Sequence, residues 1–161
     1  MKQKLLINLV LFQAGWFVCV LWGGAWALLF TSAYLLVHFR WISDQLSELR
    51  LIMWVLIYGL VQDSLLIYFG VFRWSESVIG VPLWLLMIWV LFATTLCHGY
   101  KWLLDYPWAA ALIGGIAGPL SYYAGATLTG AEFPQGLLTF YLVLGVIWAG
   151  VMPGLLRFSK F

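Results

Sequence analysis

Six long apolar segments, in which only Arg40 and Asp63 carry a charge, restrict this chain's fold more than any other feature. They lie near residues 5–22, 25–42, 51–70, 82–99, 107–128 and 136–156. A membrane-spanning helix needs about 20 predominantly apolar residues. The chain has 161 residues, of which 65% are hydrophobic and 9% charged, and so small a domain could not bury that much apolar surface away from water. The sequence therefore predicts an all-α, polytopic membrane helix bundle of about six transmembrane helices.

The lysines and arginines predict the orientation of this bundle. If the N-terminus is cytoplasmic, only Arg73 falls outside, and seven basic residues fall inside: Lys2, Lys4, Arg40, Arg50, Lys101, Arg157 and Lys160. This asymmetry follows the positive-inside rule. It predicts a multi-pass inner-membrane protein with an even number of helices and both termini in the cytoplasm.

The first apolar segment also resembles the start of a secretory signal peptide, because Ala25-Trp26-Ala27 follows it. The run from Leu5 to Trp22 is 18 residues long, whereas the apolar region of a signal peptide usually has about 7–15. We therefore expect this run to remain as the first transmembrane helix.

Several classes of function are not expected from this sequence. The net charge is +2 and the cations lie at helix ends, so we predict no binding to nucleic acid. Cys19 and Cys97 lie inside apolar runs without metal-ligand spacing, which predicts buried free thiols and neither a metal nor another cofactor. The segment Arg40–Arg50 (RWISDQLSELR) is interpreted as a solvated or interfacial loop, with a helix that docks a partner as the alternative.

A small set of polar residues within the apolar segments forms the candidate site. Polar side chains are costly at membrane depth and usually face the interior of a helix bundle. The candidate polar pocket comprises Gln13, Gln62, Asp63, Ser64, Thr94, Thr95, His98, Pro119, Ser121 and Tyr122.

Asp63 is the most informative member of this set. No lysine or arginine lies at its depth in any of the six segments, so it has no resident cation. Three states stay open: a protonated acid, a carboxylate held by neutral donors, or a site for a cation or cationic ligand. Either a hydrogen-bonded tie between helices or a functional role is compatible with such a residue.

The fifth segment is expected to offer both a packing surface and part of the pocket. Pro119 frees the carbonyl of Gly115, because proline lacks an N–H. Membrane helices pack closely through stripes of small residues, and one such stripe consists of Ala110, Gly114 and Gly118. Ser121 and Tyr122 fall at a depth similar to that of Asp63.

His98 is expected near the cytoplasmic boundary, about 12 Å in depth from Asp63 at 1.5 Å per residue. A direct acid–base pair of His98 with Asp63 is therefore not expected. Contact with lipid headgroups and a role as general base both stay open for His98. Together with His38 it supplies too few histidines for a histidine-rich di-iron box.

Four stretches carry a resemblance to a known family: NLVLFQAGWFVCVL, QDSLL, PLWLLMIWVLFATTLCHGYKWL and GGIAGPLSYYAGATL. They resemble the small bacterial inner-membrane proteins catalogued as domain of unknown function 2878. The resemblance covers nearly the whole chain, but it implies no particular activity and supplies no catalytic residues. It does associate the family with membrane lipid or stress physiology, because genes of such proteins often lie near those of lipid-modifying enzymes resembling cyclopropane fatty acid synthase.

Three functional hypotheses follow. The first is an intramembrane polar pocket around Asp63, Ser121 and Tyr122 that serves a membrane lipid or an apolar small molecule, in an enzyme or an accessory protein. The second is a small transporter or channel in which Asp63 is a protonation or cation site. The third is a structural protein that packs against other membrane proteins through the Ala110, Gly114 and Gly118 stripe.

Overall fold

The computed structural model describes residues 2–43, 47–74 and 80–160. It is all-helical apart from one isolated antiparallel bridge, Arg73 to Glu132. The α-helices are α1 (Lys2–Trp22), α2 (Gly24–Val37), α3 (Ser47–Tyr68), α4 (Leu83–Leu96), α5 (Pro107–Leu128) and α6 (Gly136–Phe158). A π-helical segment, His38–Ile42, extends α2, and a 3-10 helix, Lys101–Asp105, precedes α5.

The described helices have the length and composition of a membrane protein. Four segments are long and apolar enough to cross a membrane: Gln3–Trp22, Gly24–Ile42, Ser47–Tyr68 and Gly136–Phe158. α4 is apolar but shorter, with 14 residues. The glycines and prolines of α5 lower its mean hydropathy. The prediction of an all-α membrane protein is therefore confirmed, whereas six crossings and the N-in/C-in orientation stay predictions.

The start of α3 departs from the interpretation of Arg40–Arg50 as one loop. The π-helical segment continues to Ile42 and α3 begins at Ser47, while residues 44–46 lie outside the described part of the chain. Glu48, which was counted among the solvated residues, lies in the first turn of α3 and is only 6% exposed. An acidic residue is favourable there because the N-terminus of a helix carries partial positive charge.

α4 lies at the centre of the bundle. It packs against α1, α2 and α3, and from Trp89 to Leu96 every residue is buried. α5 and α6 form the most extensive helix pair, which small residues bring close together. A Cβ atom on Gly114 would lie 2.5 Å from the carbonyl oxygen of Trp148, and one on Gly118 would lie 2.4 Å from the Trp148 ring.

Two contacts show that the N-terminal part of α1 and the C-terminal end of α6 lie at the same end of the bundle. The backbone N–H of Gly99 donates to Oδ1 of Asn8 across 3.3 Å. The Cys97 thiol lies 3.7 Å from the carbonyl oxygen of Ser159. The turn after α4 therefore touches both terminal helices, and we call this end of the molecule the terminal end.

Candidate functional site

A cavity of about 540 Å³ lies between α1, α4, α5 and α6. Its wall is mostly aromatic and includes Phe12, Trp16, Trp84, Trp89, Phe92 and Trp148. Few polar residues line it, among them Gln13, Ser121 and Tyr122. The indole N–H of Trp16 donates to Oγ of Ser121 across 3.0 Å, which links α1 to α5 at the wall.

The cavity opens onto the outer surface of the bundle between α1 and α5. Gln13 and Phe17 of α1 line it and are also exposed, as are Ala117 and Leu120 of α5. These two helices make few direct contacts with each other. In a membrane-embedded bundle, an opening on this lateral face connects the cavity with lipid and not with an end of the bundle.

Asp63 lies behind the cavity wall and is fully buried. Its Oδ2 accepts a hydrogen bond from the indole N–H of Trp89 across 2.7 Å. Its Oδ1 accepts from the hydroxyl of Tyr122 across 2.6 Å and from the amide of Gln62 across 3.4 Å. Among the residues that the structure describes, no cation forms an ion pair with Asp63. Of the three states left open by the sequence, this geometry favours a carboxylate held by neutral donors.

Two aromatic residues that contact Asp63 form part of the cavity wall. Trp89 stacks on Trp148, with ring centroids 5.3 Å apart and an interplanar angle of 13°. A Cβ atom on Gly59 would lie 2.4 Å from the Trp89 ring, so glycine is required for this ring to pack against α3. Asp63 therefore positions Trp89 and Tyr122 and is not itself among the residues that line the cavity.

The remaining predicted residues are distributed over several environments. Ser64 is exposed on another face of α3. Thr94 and Thr95 are buried, and their hydroxyls donate to backbone carbonyls of α4, those of Leu91 and Phe92.

Pro119 is buried within a continuous α5. The Gly115 carbonyl oxygen, which Pro119 frees, faces α6, where it would lie 3.4 Å from a Cβ atom on Gly145. The Ala110, Gly114 and Gly118 stripe is buried inside the chain. Binding of another protein through that stripe stays a prediction.

A second polar cluster lies at the terminal end of the bundle and was not predicted. Glu48 lies within hydrogen-bond distance of two imidazoles. Nε2 of His38 lies 2.8 Å from its Oε2, and Nε2 of His98 lies 3.1 Å from its Oε1. His38 is fully buried, and the side chain of His98 is 20% exposed. His98 thus contacts Glu48 and not Asp63.

Sequence spacing gave little indication of this cluster. Its members come from the π-helical segment, the first turn of α3 and the turn after α4, so they are 10 and 50 residues apart in the chain. The one available signal was that both histidines of the chain fall at the same predicted end of the bundle.

The thiol of Cys97 lies beside this cluster but is not one of the grouped ligand residues. Both cysteines are free, as expected from the sequence. The Cys97 thiol lies 3.7 Å from the carbonyl oxygen of Ser159, and the residues placed to hold an ion together are His38, Glu48 and His98. The cluster therefore consists of two imidazoles and one carboxylate.

The fold and these two sites define a helical membrane protein with a lateral apolar cavity and a separate His–Glu–His cluster. A family model described as protein of unknown function (DUF2878) matches residues 5–154, and the chain belongs to this family. The resemblance found in the sequence is thereby confirmed. No curated protein and no solved structure matches the chain.

Proposed function

We propose that this chain is a multi-pass protein of the bacterial inner membrane that binds a membrane lipid or another apolar small molecule in the cavity between α1 and α5. In this proposal the bundle crosses the membrane six times and both termini are cytoplasmic. The observation that carries the proposal is the lateral cavity of about 540 Å³ with its aromatic wall.

Both the size and the lining of the cavity support binding of an apolar ligand. Ligand cavities usually have volumes of about 300–1,000 Å³, an apolar lining and a few polar groups that orient the ligand. Here the hydroxyl of Ser121 and the amide of Gln13 are the polar groups, since the hydroxyl of Tyr122 donates to Asp63 behind the wall, and indole rings form much of the lining. An acyl chain or a similar hydrophobic group fits such a lining better than an ion does.

The contacts of Asp63 support a positioning role better than a transport role. Its oxygens already accept hydrogen bonds from Trp89, Tyr122 and Gln62. A transported cation would have to displace these donors in a fully buried location. We infer that Asp63 fixes the rings that a bound lipid contacts.

The test uses the full chain in nanodiscs of phosphatidylethanolamine and phosphatidylglycerol, released into the gas phase for native mass spectrometry. Ala117 lines the cavity and is exposed, so Ala117→Phe fills the opening without entering the core. The matched control is Ala14→Phe, because Ala14 is exposed on α1 and does not line the cavity. We expect a lipid-sized adduct on the wild type and on Ala14→Phe, and at least a threefold lower adduct fraction on Ala117→Phe.

Two results would contradict the proposal. One is an adduct fraction that Ala117→Phe leaves unchanged. The other is pH-dependent ion flux in liposomes that is lost in Asp63→Asn but retained in the control Asp105→Asn, where the residue is exposed. That result would support the transport hypothesis.

A further inference from the structure

We propose that His38, Glu48 and His98 bind a divalent transition-metal ion at the terminal end of the bundle. The proposal concerns residues other than those of the cavity and does not depend on the lipid proposal. Glu48 and Asp63 are 15 residues apart on α3, which is about 22 Å along a helix.

The chemistry of the three side chains indicates the class of ion. Two imidazoles and one carboxylate form the ligand set of many catalytic zinc sites and of non-haem iron(II) sites. Imidazole ligands suit zinc, iron, nickel and copper, whereas magnesium and calcium prefer oxygen ligands alone. The chain has only two histidines, and both belong to this cluster.

The geometry is close to what such an ion requires. One ligand atom from each residue can be chosen so that all three lie within 4.8 Å of one another. Around a tetrahedral zinc ion with bonds of about 2.0–2.1 Å, neighbouring ligand atoms lie about 3.3 Å apart. The imidazole nitrogens lie 2.8 to 3.3 Å from the Glu48 oxygens, so these two pairs already have suitable spacing. The spread of the three ligand atoms reaches 4.8 Å, so the two imidazoles would have to approach each other by up to about 1.5 Å to enclose an ion.

Hydrogen bonding alone leaves the cluster incompletely satisfied. Nδ1 of His38 is buried, and within the described residues it has no hydrogen-bond partner. A buried polar atom without a partner costs about 1–3 kcal/mol. Nε2 is the nitrogen directed at Glu48, so Nε2 would bind the ion and Nδ1 would carry the proton of the neutral imidazole.

The surroundings suggest a site with an open coordination position. Three protein ligands leave at least one position of a tetrahedral ion for water or substrate. His98 is the most accessible of the three, with 20% of its side chain exposed, so solvent can approach from its side. His38 lies in a π-helical segment, a local irregularity that is frequent at functional sites.

The experiment measures metal binding by the full chain in nanodiscs, purified through an affinity tag without histidines and stripped with a chelator. Zn²⁺ is titrated by calorimetry, and Co²⁺ is followed by its visible absorption bands. We expect one ion per chain. Loss of a ligand in Glu48→Gln or His98→Gln should weaken binding at least about tenfold, because even residues that only support metal ligands contribute 10–100-fold to affinity.

The matched control is Glu132→Gln, which makes the same change at an exposed glutamate near the other end of α5. It should bind Zn²⁺ as the wild type does. Ala117→Phe should also retain the ion, so that failure of the lipid proposal and failure of the metal proposal are distinguishable. If Glu48→Gln does not fold, His98→Gln decides the question, since His98 is partly exposed.

Three results would overturn the assignment. The first is absence of stoichiometric Zn²⁺ and Co²⁺ binding by the folded wild type. The second is wild-type affinity in His98→Gln. The third is loss of the ion in Cys97→Ser, which would identify a thiol and not Glu48 as the anionic ligand.

Discussion

Two carboxylates on α3, Asp63 and Glu48, are both almost completely buried but have different hydrogen-bonding partners. Asp63 is held by an indole, a phenol and an amide. Glu48 is held by two imidazoles. The donors around Asp63 cannot bind a metal ion well, whereas those around Glu48 are strong metal ligands. The nature of its neighbours therefore determines what a buried acid can do.

The two sites also differ in how they reach the surface. The aromatic rings that Asp63 orients form the wall of a cavity that opens on the side of the bundle. The Glu48 cluster lies at the terminal end, beside the turn after α4, and reaches solvent past His98. An apolar ligand and a hydrated ion would thus approach the protein by different routes. Four variants test this difference between the two sites, and they follow in order of decreasing expected effect.

The largest effect is expected for Gly59→Leu, which would move Trp89 away from Asp63. A Cβ atom on Gly59 would lie 2.4 Å from the Trp89 ring, so a larger side chain cannot be accommodated without shifting the ring or α3. We expect the free energy of unfolding to fall by about 3 kcal/mol or more. Unfolding in mixed micelles with increasing SDS measures this change. Gly150→Leu is the control, because nothing lies within 4 Å of that position, and an equal loss there would refute the argument.

The next effect concerns the Glu48 cluster in the presence of metal. An ion at 100 times its dissociation constant stabilises the folded state by about 2.7 kcal/mol. Zn²⁺ should therefore raise the unfolding midpoint of the wild type and of Asp63→Asn, but not that of Glu48→Gln. Thermal unfolding with and without Zn²⁺ measures the difference. A similar Zn²⁺ effect on all three proteins would mean that Glu48 does not bind the ion.

A smaller effect is expected for Asp63→Asn without metal. The amide nitrogen of asparagine is a donor, so at least one of Trp89, Tyr122 and Gln62 loses its acceptor. A buried donor without an acceptor costs about 1–3 kcal/mol. The same SDS titration should detect this loss, together with a change in tryptophan fluorescence. Asp105→Asn, at an exposed site, should behave as the wild type, and stability retained in Asp63→Asn would mean that the donors find other acceptors.

The smallest effect is expected for Ser121→Ala at the cavity wall. It removes the acceptor of the Trp16 indole N–H, a bond of 3.0 Å between α1 and α5. The loss should be about 0.5–1.5 kcal/mol, the usual net contribution of one hydrogen bond. Ser64→Ala provides the control, since Ser64 is exposed on α3. If both variants unfold at the same SDS concentration, the Trp16–Ser121 bond does not stabilise the wall.

Much of the fold follows from the sequence, but its irregular ends do not. The predicted bounds of the fifth segment, 107–128, coincide with those of α5, because Pro107 starts the helix and an apolar run continues it. The predicted start of the third segment at 51 missed the first turn of α3, because Ser47 and Glu48 are polar. The π-helical segment His38–Ile42 has no sequence signature of its own.

The sequence predicted part of the grouping around Asp63 but not all of it. Asp63, Gln62 and Tyr122 do lie together, as their similar depths suggested. Trp89, which donates to Asp63, was not among the candidates, because a tryptophan in an apolar helix resembles any other hydrophobic residue. Gln13 and Ser121 line the cavity, whereas Ser64 points away from it, a distinction that depends on how each helix is rotated.

The sequence by itself determined that this chain consists of apolar helices of membrane-spanning character, because hydrophobic length and the scarcity of charge are properties of each segment alone. Only the tertiary structure decided which polar groups meet. Glu48 lies near two histidines because α2, α3 and α4 bring their ends together, and a contact between residues 10 and 50 positions apart depends on packing. The cavity likewise exists because α1 and α5 barely touch, a gap between surfaces that no single segment encodes.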